Sequence, residues 1–245
     1  MPGCAIVWSK AGLQATLSVL LIFCYCDEAL AAQAGGRGER SVQDAVDDAR
    51  SRGRTETTLP SVRLEESVFR GLDGALAYSF VSVVHTSLEE KHTIAVPERT
   101  RLDTYLRFKI LQNFLPARNT LTSAPRRVPE DVAALRGDEF LVEIPLAGST
   151  VIDGVRVKSG NRLLEEFAVG EHYLLIVAFY GHPKIAALPF GLRGVFRVAD
   201  SGVLDPLYPE GDVAQAFKRE GLARLGDVRP DIIRRLSTRQ GGVVR

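Results

Sequence analysis

The chain has 245 residues, with 31 lysines and arginines against 30 aspartates and glutamates, so its formal net charge is +1. A balance this close to neutral excludes the strongly basic footprint of a nucleic-acid-binding protein. Hydrophobic residues make up 45% of the chain, which is enough to build a buried core in one ordinary domain with appended segments, or in two small ones.

The first 34 residues have the pattern of a secretory signal peptide. Lys10 precedes an apolar run from Ala11 to Cys26, and two small-residue sites follow, Ala29-Leu30-Ala31 and Ala32-Gln33-Ala34. This order of positive charge, apolar segment and small-x-small site is typical of a cleaved export signal. We therefore expect a periplasmic or secreted protein, cut after Ala31 or Ala34.

Two other interpretations of this segment remain open. The apolar run is shorter than the roughly 20 residues that a membrane-crossing helix needs, but an uncleaved N-terminal anchor is one alternative. A lipoprotein attached through Cys24 or Cys26 is the other, although Phe23 or Tyr25 then occupies a position that normally holds a small residue. With cleavage, the sequence predicts no stable membrane span.

Every cysteine of the chain (Cys4, Cys24 and Cys26) lies in the predicted signal. Cleavage would leave 30 basic and 28 acidic residues and no disulfide, because the removed segment holds only Lys10, Asp27 and Glu28 as charged residues. The exported protein must then be stabilised by a hydrophobic core rather than by cross-links.

Residues 35–60 are polar and charged, and predict a linker with one short helix. Ser41 is a candidate N-cap for a helix to Arg52, since small apolar residues fall at helical spacing after it. The stretch from Gly53 to Thr58 is then expected to be linker.

Residues 61–210 predict the folded domain, because their hydrophobic period is mostly two. Residues 106–110 and 140–146 alternate apolar and polar side chains, as strands with one buried face do. His172 to Tyr180 is nearly all apolar, which favours a strand buried on both faces. Further strand candidates are Ala75 to His85, His92 to Val96, and Phe196 to Val198.

Turn signals separate these strands. Asp153-Gly154 between Val/Ile-rich flanks predicts a two-residue hairpin turn. Short helices are expected at Leu64 to Gly71 and at Pro129 to Arg136, the second within a long loop at 113–137. Seven or eight short strands with few helices indicate a mainly β barrel or sandwich.

Three stretches resemble a pattern found in exported bacterial proteins. The first runs from Thr104 to Leu115, the second from Phe167 to Val177, and the third from Gly194 to Val203. Those proteins are uncharacterised small β-barrels, broadly similar to OB-like and netrin-like (tissue-inhibitor-like) modules. The resemblance covers about 75–205 and implies a small OB-like β-barrel. The cysteines that cross-link netrin-like modules are absent, and Asn113-Phe114 replaces Lys-Gly.

Catalytic motifs are missing from the sequence. The four histidines, His85, His92, His172 and His182, form no H-E-x-x-H pair, and Ser82 and Ser87 near His85 lack a G-x-S-x-G elbow. The adjacent acids Glu89-Glu90 and Glu165-Glu166 are expected to face solvent. We therefore predict no catalytic, cofactor-binding or metal-ligating residue, and no cofactor.

The last section, 211–245, predicts a basic helical tail. Asp212 is a candidate cap for a helix with Val213, Ala216, Phe217 and Leu222, and Pro230 opens a second segment. From Lys218 to Arg245 there are eight basic and three acidic residues. The alternatives are helices packed on the barrel, a flexible tail, and an element that binds an acidic partner or anionic surface through Arg234, Arg235 and Arg239.

Together these features predict an exported, non-enzymatic binding or structural module of the bacterial envelope or exterior. Its partner would be an unidentified protein or envelope component, bound through loops such as 113–137 or through a barrel face, and not a nucleic acid. The alternatives are an unrecognised hydrolase that uses a histidine, and a protease-inhibitor-like module suggested by the netrin-like resemblance.

Overall fold

A computed structural model describes residues 41–59, 72–96, 101–121, 134–145, 147–159 and 163–233. The predicted signal peptide, the helix expected at Leu64 to Gly71, and the tail arginines Arg234, Arg235 and Arg239 lie outside these ranges. Most of the helix expected at Pro129 to Arg136 also lies outside them. In the described part of the chain, no helix has the length and apolar character needed to cross a bilayer.

The described residues form a mainly β protein with two sheets. The strands of the larger sheet are β2 (Val81–Val96), β3 (Arg101–Leu115), β4 (Glu139–Ile144), β7 (His172–Phe179), β8 (Ile185–Ala187), β9 (Val195–Val198) and β10 (Leu204–Pro206). The smaller sheet contains β1 (Glu56–Leu59), β5 (Ser149–Ile152) and β6 (Val155–Ser159).

The larger sheet partly closes into a ring. Its strand order is β10-β9-β7-β2-β3-β4-β8, and β8 also pairs with β7, so that β7, β2, β3, β4 and β8 form a circuit. All neighbours in this circuit are antiparallel except β4 and β8, which are parallel. The β8 pairings are only two residues long, so the ring is not a regular barrel.

One hydrophobic cluster fills the ring, because its side chains meet across strands that are not neighbours. Phe108 of β3 contacts Tyr173 of β7, and Phe140 of β4 contacts Phe179 of β7. Phe108 lies at its centre, in ring contact with Phe140, Phe167 and Tyr173 at centroid distances of 5.8, 6.2 and 6.1 Å. The remaining buried members are aliphatic residues and one further ring: Val84, Leu88, Leu106, Val142, Ile144, Ala147, Leu175, Val177, Phe179, Ala186 and Val195.

A second cluster covers the outer face of the sheet. Two helices, α2 (Leu72–Leu76) and α3 (Asp212–Arg219), contribute to it, and the rings of Phe196 and Phe217 stack at 4.6 Å. Leu222, Val228 and Ile233 are buried in the same cluster. The section from 212 to 233 therefore packs on the sheet, with Gly211 as the N-cap and Asp212 as the first helical residue.

The region before β2 holds more structure than the sequence predicted. Helix α1 (Val42–Ser51) forms as expected, and Ser41 and Asp44 build a reciprocal capping box at its start. The predicted linker instead contains β1, which pairs in parallel with β6 about a hundred residues later. Helix α1 and β1 bury apolar residues against the β5–β6 hairpin in a third cluster.

Two local predictions have clear outcomes. The Asp153-Gly154 turn is confirmed, with φ values of 48° and 79° at its two residues. The strand predicted from Ala75 to His85 is wrong at its start, because residues 72–76 are helical and β2 begins at Val81. An apolar run of this length does not by itself distinguish a strand from a short helix.

Gly148 provides a test of the packing between β3 and the start of β5. Its φ is 110°, and a methyl group there would lie closer than 3.0 Å to the hydroxyls of Thr93 and Thr104, which bond to each other at 2.7 Å. We expect Gly148→Ala to lower the free energy of unfolding by about 3 kcal/mol, since backbone strain and a steric clash add. Urea denaturation measures this change.

Gly154→Ala is the matched control, because Gly154 also has a positive φ, of 79°, but has open space around its Cα. It is expected to cost only about 1 kcal/mol. Equal losses for the two variants would contradict the predicted clash.

Candidate functional site

The four histidines lie at three separate places in the fold. His85 lies within β2 and His172 begins β7, whereas His92 is near the other end of β2 and His182 is in the turn after β7. His172 and His182 are at opposite ends of β7, roughly 25 Å apart at about 3.3 Å per residue.

His85 and His172 form a pair on the outer face of the sheet. In the β2–β7 register His85 lies opposite Leu174 and His172 lies opposite Ser87, so that the two histidines are diagonal neighbours on one face. Their ring centroids are 5.4 Å apart and the ring planes make an angle of 70°. Sequence reasoning missed this pair because it depends on the strand register.

The two rings differ in their surroundings. His172 is exposed, but His85 is half-buried, and its Nε2 atom is shielded from solvent with no hydrogen-bond partner. Burial, and then the neighbouring His172, lower the pKa of His85 below its usual 6.5. The geometry therefore holds His85 as a neutral imidazole with an unused ring nitrogen.

Neither serine near His85 bonds to its ring. The Ser82 hydroxyl donates to the Leu115 carbonyl at 2.7 Å, and the Ser87 hydroxyl donates to the Glu89 carboxylate. The hydrolase alternative required a histidine beside a carboxylate or hydroxyl. The described residues place His85 against another histidine instead.

The two acidic pairs, Glu89-Glu90 and Glu165-Glu166, are exposed, as the sequence predicts. Glu90 forms an ion pair with Arg107 at 2.8 Å, and its neighbour Glu89 accepts the Ser87 bond. Glu165 and Glu166 are exposed in a short 3-10 helix, Leu163–Glu166. In the described ranges no group of three or more metal-binding side chains assembles.

A polar cluster of Glu171, Tyr173 and Arg197 closes one end of the ring. The buried Tyr173 hydroxyl accepts a bond from the Ala168 amide at 2.7 Å and donates to Glu171 Oε2 at 2.8 Å. Arg197 Nε donates to the same carboxylate oxygen at 3.0 Å. Lys91 Nζ donates to the Phe167 carbonyl beside the cluster. These bonds fix the segment before β7 over the ring interior.

The opposite end of β7 carries the described ends of the long 113–137 loop. The Leu121 amide donates to the Phe179 carbonyl at 2.9 Å, and the Gly181 amide donates to the Leu121 carbonyl at 2.8 Å. Lys184 Nζ donates to the Arg136 carbonyl at 2.9 Å. We call this surface, formed by 116–121, 134–137 and 180–184, the loop edge.

A buried acid lies beneath the loop edge. The Tyr180 hydroxyl donates to the carboxylate of Glu143, and both side chains are almost fully buried. Leu121 and Leu135 pack in the same cluster as Tyr180. The loop edge is thus attached to the ring by backbone bonds and by a buried apolar and polar contact.

Comparison with protein-family models, with curated proteins and with solved structures gave no match.

Tyr173 supplies a prediction about the end of the ring. Burial, the largest influence, raises the pKa of Tyr173 from 10.0 to about 12, and Glu171 adds to the rise. We expect Tyr173→Phe to lower the free energy of unfolding by about 1–3 kcal/mol near pH 8, since the Ala168 amide loses its acceptor.

This deficit should shrink at high pH. The folded state favours the protonated phenol, so its stabilising effect is complete below pH 10 and is lost as the pH rises through about 12. Denaturation of both proteins between pH 8 and 11.5 measures the difference. A deficit that stays constant over this range would contradict the assigned role.

Proposed function

We propose that this chain is an exported, non-enzymatic binding or structural module of the bacterial envelope or exterior, built on an OB-like barrel. The pairing within its ring supports the OB-like assignment. Counted in chain order, the five ring strands are β2, β3, β4, β7 and β8. The first strand, β2, pairs with the second, β3, and the fourth, β7, and the third strand, β4, runs parallel to the fifth, β8. This connectivity is the one expected of a five-stranded OB-like barrel.

The loop edge is the observation that carries the binding role. In OB-like barrels, ligands contact the face of the second and third strands and the loops beside it, including the loop between the fourth and fifth strands. Residues 180–184 form that connection here, and the ends of the 113–137 loop are bonded to it. The face of β3 and β4 below holds the buried Tyr105 and Leu141, which pack with Leu121 and Leu135. The chain thus covers this face itself, so a partner would contact the loops above it.

The net charge of the chain favours one class of partner over another. The whole chain carries a net charge of +1, so long-range attraction to a polyanion is weak. A protein or another envelope component is therefore the partner that we favour over a nucleic acid. Exposed polar groups at the loop edge, such as Arg118 and Asn119, suit a polar, wet contact.

Export is tested by processing of the full-length chain with a C-terminal tag in a bacterial host. We expect a mature N-terminus at Ala32 or Gly35, determined by mass spectrometry of the periplasmic or secreted fraction. Replacement of both Leu20 and Leu21 by arginine should leave an unprocessed cytoplasmic chain, because the apolar run is then broken. An unprocessed parent chain that stays in the cytoplasm would contradict the proposal.

Binding is tested by capture of a partner from solubilised envelope with the tagged protein. We expect the paired change Pro116→Glu and Arg118→Glu to reduce recovery of the partner at least tenfold, because both residues are exposed on the loop edge. Val169→Glu is the matched control, since Val169 is 57% exposed near the opposite end of β7. Equal recovery by the paired variant and the control would argue against the loop edge as the contact surface.

A further inference from the structure

The pair of His85 and His172 has a geometry that suits two ligands of one metal ion. Zinc binds imidazole nitrogen at about 2.0–2.1 Å with nearly tetrahedral angles, which sets the centroids of two ligating rings about 5 Å apart. The observed centroid separation is 5.4 Å. The centroid separation is therefore close to that of two rings that share one ion.

The unpartnered nitrogen of His85 is a second, independent observation. Its Nε2 atom is shielded from solvent and receives no hydrogen bond, which is costly for a buried polar atom. The opposite Leu174 on β7 is buried and apolar. An ion held between the two rings would give this nitrogen a partner.

We propose that His85 and His172 form a two-histidine site for a divalent transition-metal ion such as zinc, on the outer face of β2 and β7. Imidazole ligands select zinc, copper and nickel over magnesium and calcium, which prefer oxygen. Two protein ligands leave coordination positions for water or for a donor group of a partner. Exposure of His172 gives the ion a route to the site.

The neighbours of the pair are compatible with this site. Gln112 lies opposite His85 on β3 and Ser87 lies opposite His172 on β2, so the nearest polar side chains in register are uncharged. The nearest lysine in the same row is Lys109 on β3, which pairs with Ser87 and so lies two strands away from His172. Strand β2 is paired on both sides, regularly with β7 and with bulges beside His85 on the β3 side.

The test is zinc titration of the full-length chain with Cys4, Cys24 and Cys26 replaced by serine, so that no thiolate competes. Isothermal calorimetry should give one zinc per chain, and thermal melting should show a higher midpoint with zinc but not with magnesium. His172→Gln and His85→Gln should each weaken zinc binding at least tenfold. Cobalt, used as a spectroscopic probe, should show visible absorption bands that both variants lose.

The chain contains its own matched controls, because His92 and His182 are the two histidines outside the pair. His92→Gln and His182→Gln should bind zinc as the parent does. His172→Gln alone decides the matter if His85→Gln fails to fold, since the His172 side chain is exposed. Zinc binding that is unchanged in His172→Gln, or absent from the parent at millimolar zinc, would overturn the proposal.

Discussion

The described structure depends on strand β7, which is hydrogen-bonded along both edges and buried on both faces. It pairs with β2 on one side and with β9 and β8 on the other. Tyr173, Leu175 and Val177 point into the ring, and Leu174 and Ile176 point to the outer cluster. A strand in this position must satisfy every backbone group by pairing and must carry apolar side chains on both faces. The ring and the helical layer are therefore built on one short segment.

The polar contacts of the histidine pair, of Tyr173 and of Tyr180 lie at the two ends of β7. Its first residues bring His172 beside His85 and Tyr173 beside Glu171, and the residue after it, Tyr180, bonds Glu143. Buried polar atoms are tolerated when they have partners, and the Tyr173 and Tyr180 hydroxyls have them. His85 Nε2 is different, because it is shielded without a partner. The two tyrosine hydroxyls are thus bonded within the fold, whereas the histidine pair has an unpartnered ring nitrogen.

Much of the local structure was predictable, and much of the pairing was not. The cap at Ser41, the Asp153-Gly154 turn and the doubly buried strand after His172 follow from short sequence patterns, because their causes act within a few residues. The strand β1 was not predictable, since its partner β6 lies about a hundred residues away. The same reason hides the histidine pair, whose members are 87 positions apart in the chain. A hydrophobic period of two shows that a strand has one apolar and one polar face, but it does not show which strand lies beside it.

The sequence by itself determined that the described chain is mainly β, since alternating side chains and turn residues act locally. It also determined the location of the three cysteines, all before residue 27, and a net charge near zero. The tertiary structure alone decided that five strands partly close into a ring, that the section 212–233 packs on its outer face, and that His85 meets His172. These features depend on strand register and on contacts between segments that are distant in the chain. Such contacts form only when all the apolar faces of the chain are buried together.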